Sequence, residues 1–336
     1  MSTWKSSYEG RMPVPLWSAD YFRWQLRLDE PNSDRRLVAA YRGDQLAGTV
    51  LYVPMSFEMG GERIEAAQAS WLSVDPQFRG KGVARVLHDG SQEALRRDGL
   101  AFQLGYGFFG SKASRGVKFW KKMEGTSTNF TRSVGFWARV LDPHRAAAWN
   151  VNRWEGRASA AFAPLLGPPR RRDVPGMTIR STTSDDLPKL VELADLATKG
   201  CDLRLIWNQD RLGRQIGLGR YGECLVAEVN SEVRGAIAFH VLPVLGRTTE
   251  LVGIIDLIFV SELNTVQRRE LLNSVLLRLR DAGVVVALKL RSGDYPAGMF
   301  LHRGWFWKPA DSHVLITWAQ AALSIPPLRR LHVLWR

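Results

Sequence analysis

Cysteine is scarce: Cys201 and Cys224 are the two in 336 residues. They give neither a disulfide framework nor a metal-ligand spacing, so no metal centre is expected and both read as ordinary thiols of a reducing compartment. Long apolar runs are missing as well. No stretch approaches the ~18 consecutive apolar residues of a membrane-spanning helix, and the opening MSTWKSSYEG has no apolar signal core; a cytoplasmic protein is the expectation. Acidic residues are in deficit, 33 against 46 Lys and Arg, for a net charge of +13. That excess suits phosphate-bearing ligands, an acidic protein, nucleic acid or an anionic membrane surface, or else simply a solvated basic face. Nucleic acid is the weakest of these, because no aromatic-basic binding motif is visible.

What the chain has in quantity is apolar and aromatic. Hydrophobic residues make up 45% of it, which indicates a globular protein, and its length suits two domains of ordinary size. Thirteen tryptophans exceed what a core of this size needs, so several are available to line a cavity for an apolar group.

The most informative stretch is residues 71–84, WLSVDPQFRGKGVA. An apolar strand ends at Asp75-Pro76, the run Gln77-Phe78-Arg79-Gly80-Lys81-Gly82 follows, and a helical pattern opens at Val83 and continues through Ala84. Pro76 and the glycines exclude a regular element through the loop. Such a loop leaves successive backbone N–H groups unpaired, and the next helix adds its own orphan donors and the positive end of its dipole. The nest suits a phosphate or diphosphate. Gly80 and Gly82 let a ligand approach the main chain, and Arg79 and Lys81 add charge. A P-loop is excluded, since no Gly-Lys-Ser/Thr closes the motif, and a dinucleotide fingerprint lacks its third glycine, Arg85 standing there.

Gln77-x-x-Gly80-x-Gly82 between an apolar strand and an amphipathic helix resembles the acetyl-coenzyme A loop of the GCN5-related N-acetyltransferase (GNAT) superfamily, whose pattern is Gln/Arg-x-x-Gly-x-Gly/Ala. The order of elements agrees. Residues 18–28 read as a helix capped by Ser18, 37–41 and 46–57 as a hairpin, 63–74 as the strand into the loop, 83–97 as a helix with Val83, Val86, Leu87 and Leu95 on one face. Then come strand 101–106, helix 111–123 and strand 128–140.

The resemblance implies an α/β (α+β) fold with a mixed, mostly antiparallel twisted sheet, and a mechanism. The main chain of Leu72, Ser73 and Val74 would bind pantetheine, Ser111 would touch it, and the amides of Phe78 to Val83 would hold the diphosphate. Acetyl-CoA, or another acyl-CoA, would be the co-substrate, and an amine on a small molecule or a protein the acceptor. The family's glutamate base falls on Gln68, leaving Glu65 as the substitute or as a mere surface carboxylate. Its tyrosine acid falls on Trp120, leaving Tyr106 as the substitute or as a packed ring. These departures keep open a non-catalytic coenzyme-binding or scaffold protein.

The second half repeats the first. Residues 225–236 align on 37–48, and Leu257–Val260 on Trp71–Val74. Met177–Arg180 and Ser184-Asp185-Asp186-Leu187 look like a capped GNAT start. After Val260 the chain reads Ser261-Glu-Leu-Asn-Thr-Val-Gln-Arg268. No glycine remains, and Glu262 would repel a diphosphate. The expected organisation is therefore an acyl-CoA-binding GNAT domain at 1–141, a linker at 142–175 with a helix at 144–166 followed by a basic Pro-rich hinge, a degenerate GNAT domain at 176–320 that shapes the acceptor or acyl pocket, and a basic tail at 321–336.

Tandem GNAT proteins, including the N-myristoyltransferases, divide labour this way, and by that resemblance the carboxylate of Arg336 is a further candidate base. The tail is otherwise a candidate peripheral membrane or partner contact, and an acidic acyl carrier protein a candidate donor. His240, His302 and His313 read as structural and His88 as exposed.

Overall fold

The structure, a computed structural model, describes residues 2–108, 116–162, 167–218, 221–301 and 304–335. The first half runs α1 (Ser2–Tyr8), β1 (Val14–Pro15), α2 (Ala19–Leu26), β2 (Leu37–Arg42), β3 (Gln45–Met59), β4 (Glu62–Val74), α3 (Val83–Arg97), β5 (Phe102–Phe108), α4 (Val117–Met123) and β6 (Thr128–Val140). Two short helices, α5 (Pro143–Trp149) and α6 (Arg153–Phe162), follow. The second half runs β7 (Met177–Ser181), α7 (Leu187–Thr198), β8 (Leu203–Leu205), α8 (Gln209–Gln215), β9 (Glu223–Val229), β10 (Glu232–Leu245), β11 (Thr249–Phe259), α9 (Thr265–Asp281), β12 (Val284–Leu290), β13 (Trp305–Trp318) and β14 (Leu331–His332).

The strands form one sheet in the order β14-β8-β3-β4-β5-β13-β6-β12-β11-β10-β9-β7, with β1 on β10 and β2 on β3. Each half contributes an antiparallel meander followed by one parallel pairing, β4 with β5 and β11 with β12. Their last strands change places: β13 of the second half lies against β5 of the first, and β6 of the first lies against β12 of the second. The two exchanged strands pair with each other along most of their length. The halves expected from the sequence thus share a sheet and a core, in which Leu51, Phe57 and Phe102 join one buried cluster with Leu257, Phe259 and Leu331.

Local chemistry explains the elements. Ser18 caps α2, its Oγ accepting from the Tyr21 amide at 3.0 Å. Asn264 and Gln267 form a capping box at the start of α9. The linker helix expected over 144–166 is broken: Asn150 is extended (φ −60°, ψ 127°) and ends α5, and Asn152 Oδ1 accepts from the Trp154 amide to start α6. The buried face of α3 passes through Leu87, His88, Ser91, Ala94 and Leu95. Val86 is therefore exposed and His88 buried, both against expectation. His88 Nε2 lies 3.1 Å from Ser127 Oγ, which ties α3 to the start of β6.

The tail corrects another expectation. Leu328, Leu331, Val333 and Leu334 are buried, because the chain threads between the halves rather than over a surface. Leu331 and His332 pair with β8, and the Leu331 amide donates to Ser292 O just past β12 at 3.0 Å. Asp202 accepts from the amides of Arg329 and Arg330. A membrane contact through residues 331–335 is incompatible with that burial.

Two tests follow from this packing. Leu331→Ala should cost about 2–5 kcal/mol in urea unfolding, whereas Leu323→Ala, at an exposed position earlier in the same tail, should stay within about 0.5 kcal/mol; equal effects would contradict the buried tail. At the capped start of the second half, the Arg180 guanidinium holds the Asp186 carboxyl below the usual carboxylate range, aided by the Thr183 amide and opposed by burial. A depressed folded value gives stabilisation that is present above the unfolded value of about 4 and lost as pH falls through the folded one. Asp186→Asn should lower stability at neutral pH and make the acid-unfolding limb shallower; an unchanged limb would contradict this.

Candidate active site

β4 pairs with β3 along its whole length, from Met59↔Glu62 to Gly48↔Val74. With β5 it pairs only at Ala67↔Gln103 and Gln68↔Leu104. Beyond Gln68 the two strands no longer pair, while the opposite edge of β5 stays paired with β13 over Phe102–Phe108. The edge of β4 facing the gap, through Leu72, Ser73 and Val74, has no strand partner. A bulge falls in the same place: the register shifts between Thr49 and Leu51, and Trp71 sits in the left-handed region at φ 53°. That conformation is costly for a side chain of this size. It is held by edge-to-face packing of the Trp71 ring on Trp17 at 5.2 Å and Phe22 at 5.0 Å.

The loop after β4 is anchored at both ends. Asp75 Oδ1 accepts from the Gln77 amide at 3.0 Å, and Phe78 is buried. Gly80 and Gly82 have φ of 75° and 84°, the left-handed values that favour glycine. The expected nest is shifted. The Phe78 and Arg79 amides donate to Asp75 O and Pro76 O within the turn, whereas among the described residues nothing accepts from the amides of Gly80, Lys81, Gly82, Val83 and Ala84. These five sit at the head of α3, whose first turn carries no acidic residue. Arg79 is a clip, its guanidinium donating to Ser7 Oγ of α1 and to Val74 O.

A continuous cavity of about 1650 Å³ begins at this loop. Leu72, Ser73, Val74, Phe78, Arg79, Gly80, Gly82, Val83 and Ala84 line it, with Lys118 and Lys122 of α4 opposite; Gln77 and Lys81 do not. It passes through the gap beside Gly105 and Tyr106, then runs on into the second half. There the wall is Ala138 and Val140 of β6, Leu242 and Val244 of β10, Val252 and Ile254 of β11, Val286 and Leu288 of β12, and Trp149 of α5. Trp4, Trp17, Trp71, Trp120 and Trp335 also face it, which accounts for part of the tryptophan excess.

The catalytic candidates fare differently. Glu65 is half exposed; burial is the largest single influence on its carboxylate and raises it, but the hydrogen bonds it accepts from Ser56 Oγ and Arg63, with the Arg63 charge, together hold it below the usual carboxylate range. It is not on the cavity wall, which β4 reaches only from Ala69 to Val74, four residues and more beyond Glu65. Tyr106 does line the cavity; its hydroxyl donates to Leu334 O at 2.8 Å, and Gln68 Nε2 donates to the same carbonyl at 2.6 Å. The tail thus reaches the fork between β4 and β5. Ser111 and Arg336 lie outside the described residues.

The sequence reading missed a pair at this cavity. His240 on β10, read as structural, lines it, and its Nδ1 lies 2.6 Å from Asp256 Oδ2 on β11. The two are sixteen positions apart, and only the hairpin brings them together. Among the described residues no group of three or more metal-ligating side chains is assembled.

A bulged strand that parts from its parallel neighbour beside an amide nest is the arrangement that the resemblance to the GNAT superfamily leads one to expect. The comparisons agree. A family model described as an acetyltransferase (GNAT) domain matches residues 1–115, and the chain carries a GNAT acetyltransferase domain there.

Among solved structures, the chain is similar over both halves to N-myristoyltransferase of Saccharomyces cerevisiae with bound myristoyl-CoA. That likeness covers 92% of this chain and 72% of that one, with 13% identity and a TM-score of 0.67. A GCN5-related N-acetyltransferase from Kribbella flavida matches over 84% of this chain and 59% of that one, with 14% identity and a TM-score of 0.50. A conserved protein of Enterococcus faecalis V583, described as a probable N-acyltransferase, matches over 87% and 68%, with 11% identity and a TM-score of 0.52. At these identities the likeness is one of fold: tandem GNAT halves in a mixed α/β sheet. Comparison with curated protein sequences gave no match.

The loop geometry makes a test. Gly82→Ala would force a side chain into φ 84°, at about 1–2 kcal/mol, although the added Cβ meets nothing within 4 Å. Coenzyme A affinity should fall at least tenfold by equilibrium titration. Gly60→Ala, at φ 64° in the distant hairpin with equally open space, should cost similar stability and leave affinity unchanged. Equal affinity in both variants would contradict the nest.

Proposed function

We propose that this protein is an acyl-CoA-dependent N-acyltransferase whose donor is longer than acetyl. The N-terminal half holds the coenzyme. Its diphosphate rests on the amides of Gly80 to Ala84, where the α3 dipole favours negative charge. Lys118 and Lys122 neutralise it from the opposite wall. The pantetheine arm pairs with the edge of β4 at Leu72 and Ser73, as an added strand would, next to Val74, whose carbonyl already accepts from Arg79. The thioester then lies in the fork, where a main-chain N–H beside the bulge polarises its carbonyl. The acceptor amine attacks directly, and the enzyme's main contribution is to orient it and accept its proton. Tyr106 lines the fork, but its hydroxyl proton is directed to Leu334 O, so the departing thiolate takes its proton from the attacking nitrogen; Glu65, off the cavity wall, has no part.

The observation that carries the acyl length is the apolar course of the cavity beyond the fork. A volume of about 1650 Å³ exceeds the ordinary 300–1,000 Å³ of a small-molecule site, and its inner wall of Val, Leu, Ile and Trp offers an acetyl group nothing. An acyl chain entering it would gain about 0.8 kcal/mol per buried methylene. The basic surface is compatible with delivery of the same acyl group by an acidic carrier protein.

The test is thiol release from a series of acyl-CoAs, acetyl to palmitoyl, against a panel of amines. The expected kcat/KM rises with chain length. Ala138→Phe, which fills the inner wall, should abolish that rise and leave short donors within a few-fold. Preference for acetyl in the unaltered protein would contradict the assigned donor, and tight acyl-CoA binding without thiol release from any pairing would make the protein a coenzyme-binding module.

A further inference from the structure

Beyond the coenzyme path, the same cavity contains a second built feature. Its wall beside the bulge is aromatic: Trp17, Tyr21 and Trp71 face it, and Tyr21 stands between the two halves, its ring 6.4 Å from Trp71 and 5.8 Å from His240. His240 is almost wholly enclosed, yet it borders the cavity.

Its Nδ1 is 2.6 Å from Asp256 Oδ2. Asp256 occupies a bulge of its own: Ala238 pairs with Leu257 and Phe239 with Ile255, leaving Asp256 as the extra residue of β11. This is the second-half counterpart of the bulge at Trp71, since Leu257 aligns on Trp71. The glycine loop was not kept in the second half, but the bulge was, and bulges re-aim side chains beside functional sites. Here it turns a carboxylate onto the histidine. Lys289, buried on β12, donates from Nζ to Asp256 O at 2.7 Å and fixes the main chain of that bulge.

We infer that His240, held by Asp256, is the group that removes the proton from the acceptor amine; the inference rests on the transferase reading above. With Nδ1–H donated to the carboxylate, the lone pair of Nε2 is the free acceptor, and no described residue bonds to it. The carboxylate stabilises the imidazolium once it forms. The aromatic rings facing it form a surface on which an ammonium group can rest. The acceptor is therefore a primary amine that enters as its ammonium ion.

His240 Nε2 takes one proton and leaves a neutral amine. The C–N bond forms at the thioester carbonyl carbon and the C–S bond breaks. The nitrogen's second proton leaves with the thiolate as coenzyme A thiol, and His240 returns its proton to water. The titratable and charged groups facing the ring are Asp256 from β11, Lys289 from β12 through that carboxylate's main chain, Tyr21 from α2, and Tyr221 from the segment before β9. Asp256 is a positioning residue, acting through His240.

The experiment compares His240→Gln and His240→Asn with the unaltered full chain, the second variant retaining a donor toward Asp256 and so guarding the fold. The probes are an alkylamine, hydroxylamine and the acyl-CoA that the unaltered protein turns over best. Thiol release is followed from acid to alkaline pH, and acyl-CoA binding is measured separately. With the alkylamine, kcat/KM should fall about 100-fold or more and the acid limb of the pH profile should vanish, while acyl-CoA affinity is unchanged. With hydroxylamine, already neutral at the assay pH, the loss should shrink to less than about tenfold. Asp256→Asn should move the acid limb rather than remove it. An unaltered rate and pH profile in both His240 variants would overturn the role of the pair and leave the transferase reading standing. No thiol release by the unaltered protein with any amine would overturn both.

Discussion

The parting of β4 from β5 after Gln68 is the constraint on which the rest of the structure depends. Two parallel strands in a sheet ordinarily satisfy each other's main chain along their length. Here the pairing stops after two positions, while the other edge of β5 stays paired with β13, a strand from the other half, over Phe102–Phe108. The edge of β4 is left bare over the turn that leads to the glycine loop. The bulge at Trp71 and its left-handed backbone deepen the departure, and the aromatic packing around Trp17 and Phe22 holds the strain in place. That opening leaves β4 with an unpaired strand edge, and beside it lie the unpaired amides at the head of α3.

The same exchange of strands couples the halves. Because β13 completes the first half and β6 completes the second, neither half has a finished sheet alone, and the cavity that starts in one ends in the other. The tail adds a third connection, with Leu334 O accepting from Gln68 and Tyr106 and Leu331 bonded next to β12. A duplicated half that has lost its own glycine loop therefore has a structural reason to persist. It supplies an apolar wall and a histidine–aspartate pair to a cavity whose glycine loop lies in the other half.

How much of this was legible in the sequence depends on the range of the interaction. The glycine loop was legible, because the positive φ at Gly80 and Gly82 is a local demand that glycine meets cheaply. So were the cap at Ser18, the capped start around residues 184–187, where Thr183 and Asp186 form the capping box, and the repeat itself, each written within a few residues. The position of the amide nest was off by two, because the Asp75 turn uses the Phe78 and Arg79 amides before a ligand can. The strand exchange was not legible, since β6 and β13 have the same alternation whichever strand they join. The tail was misread through its arginines: their guanidiniums reach carbonyls such as Gly293 O from Arg330, while the leucines between them enter the core. His240 and Asp256 were missed because a one-residue bulge in a hairpin sixteen residues across brings them together, and nothing local announces it.

The most direct test of the account is the structure of the protein with a long-chain acyl-CoA bound. The account predicts the diphosphate on the amides of residues 80–84, the sulfur in the fork between β4 and β5, and the chain extending past Ala138 toward Leu242 and Val286. Coenzyme bound in the second half between β11 and β12, or an acyl chain lying outside the shared cavity, would contradict it.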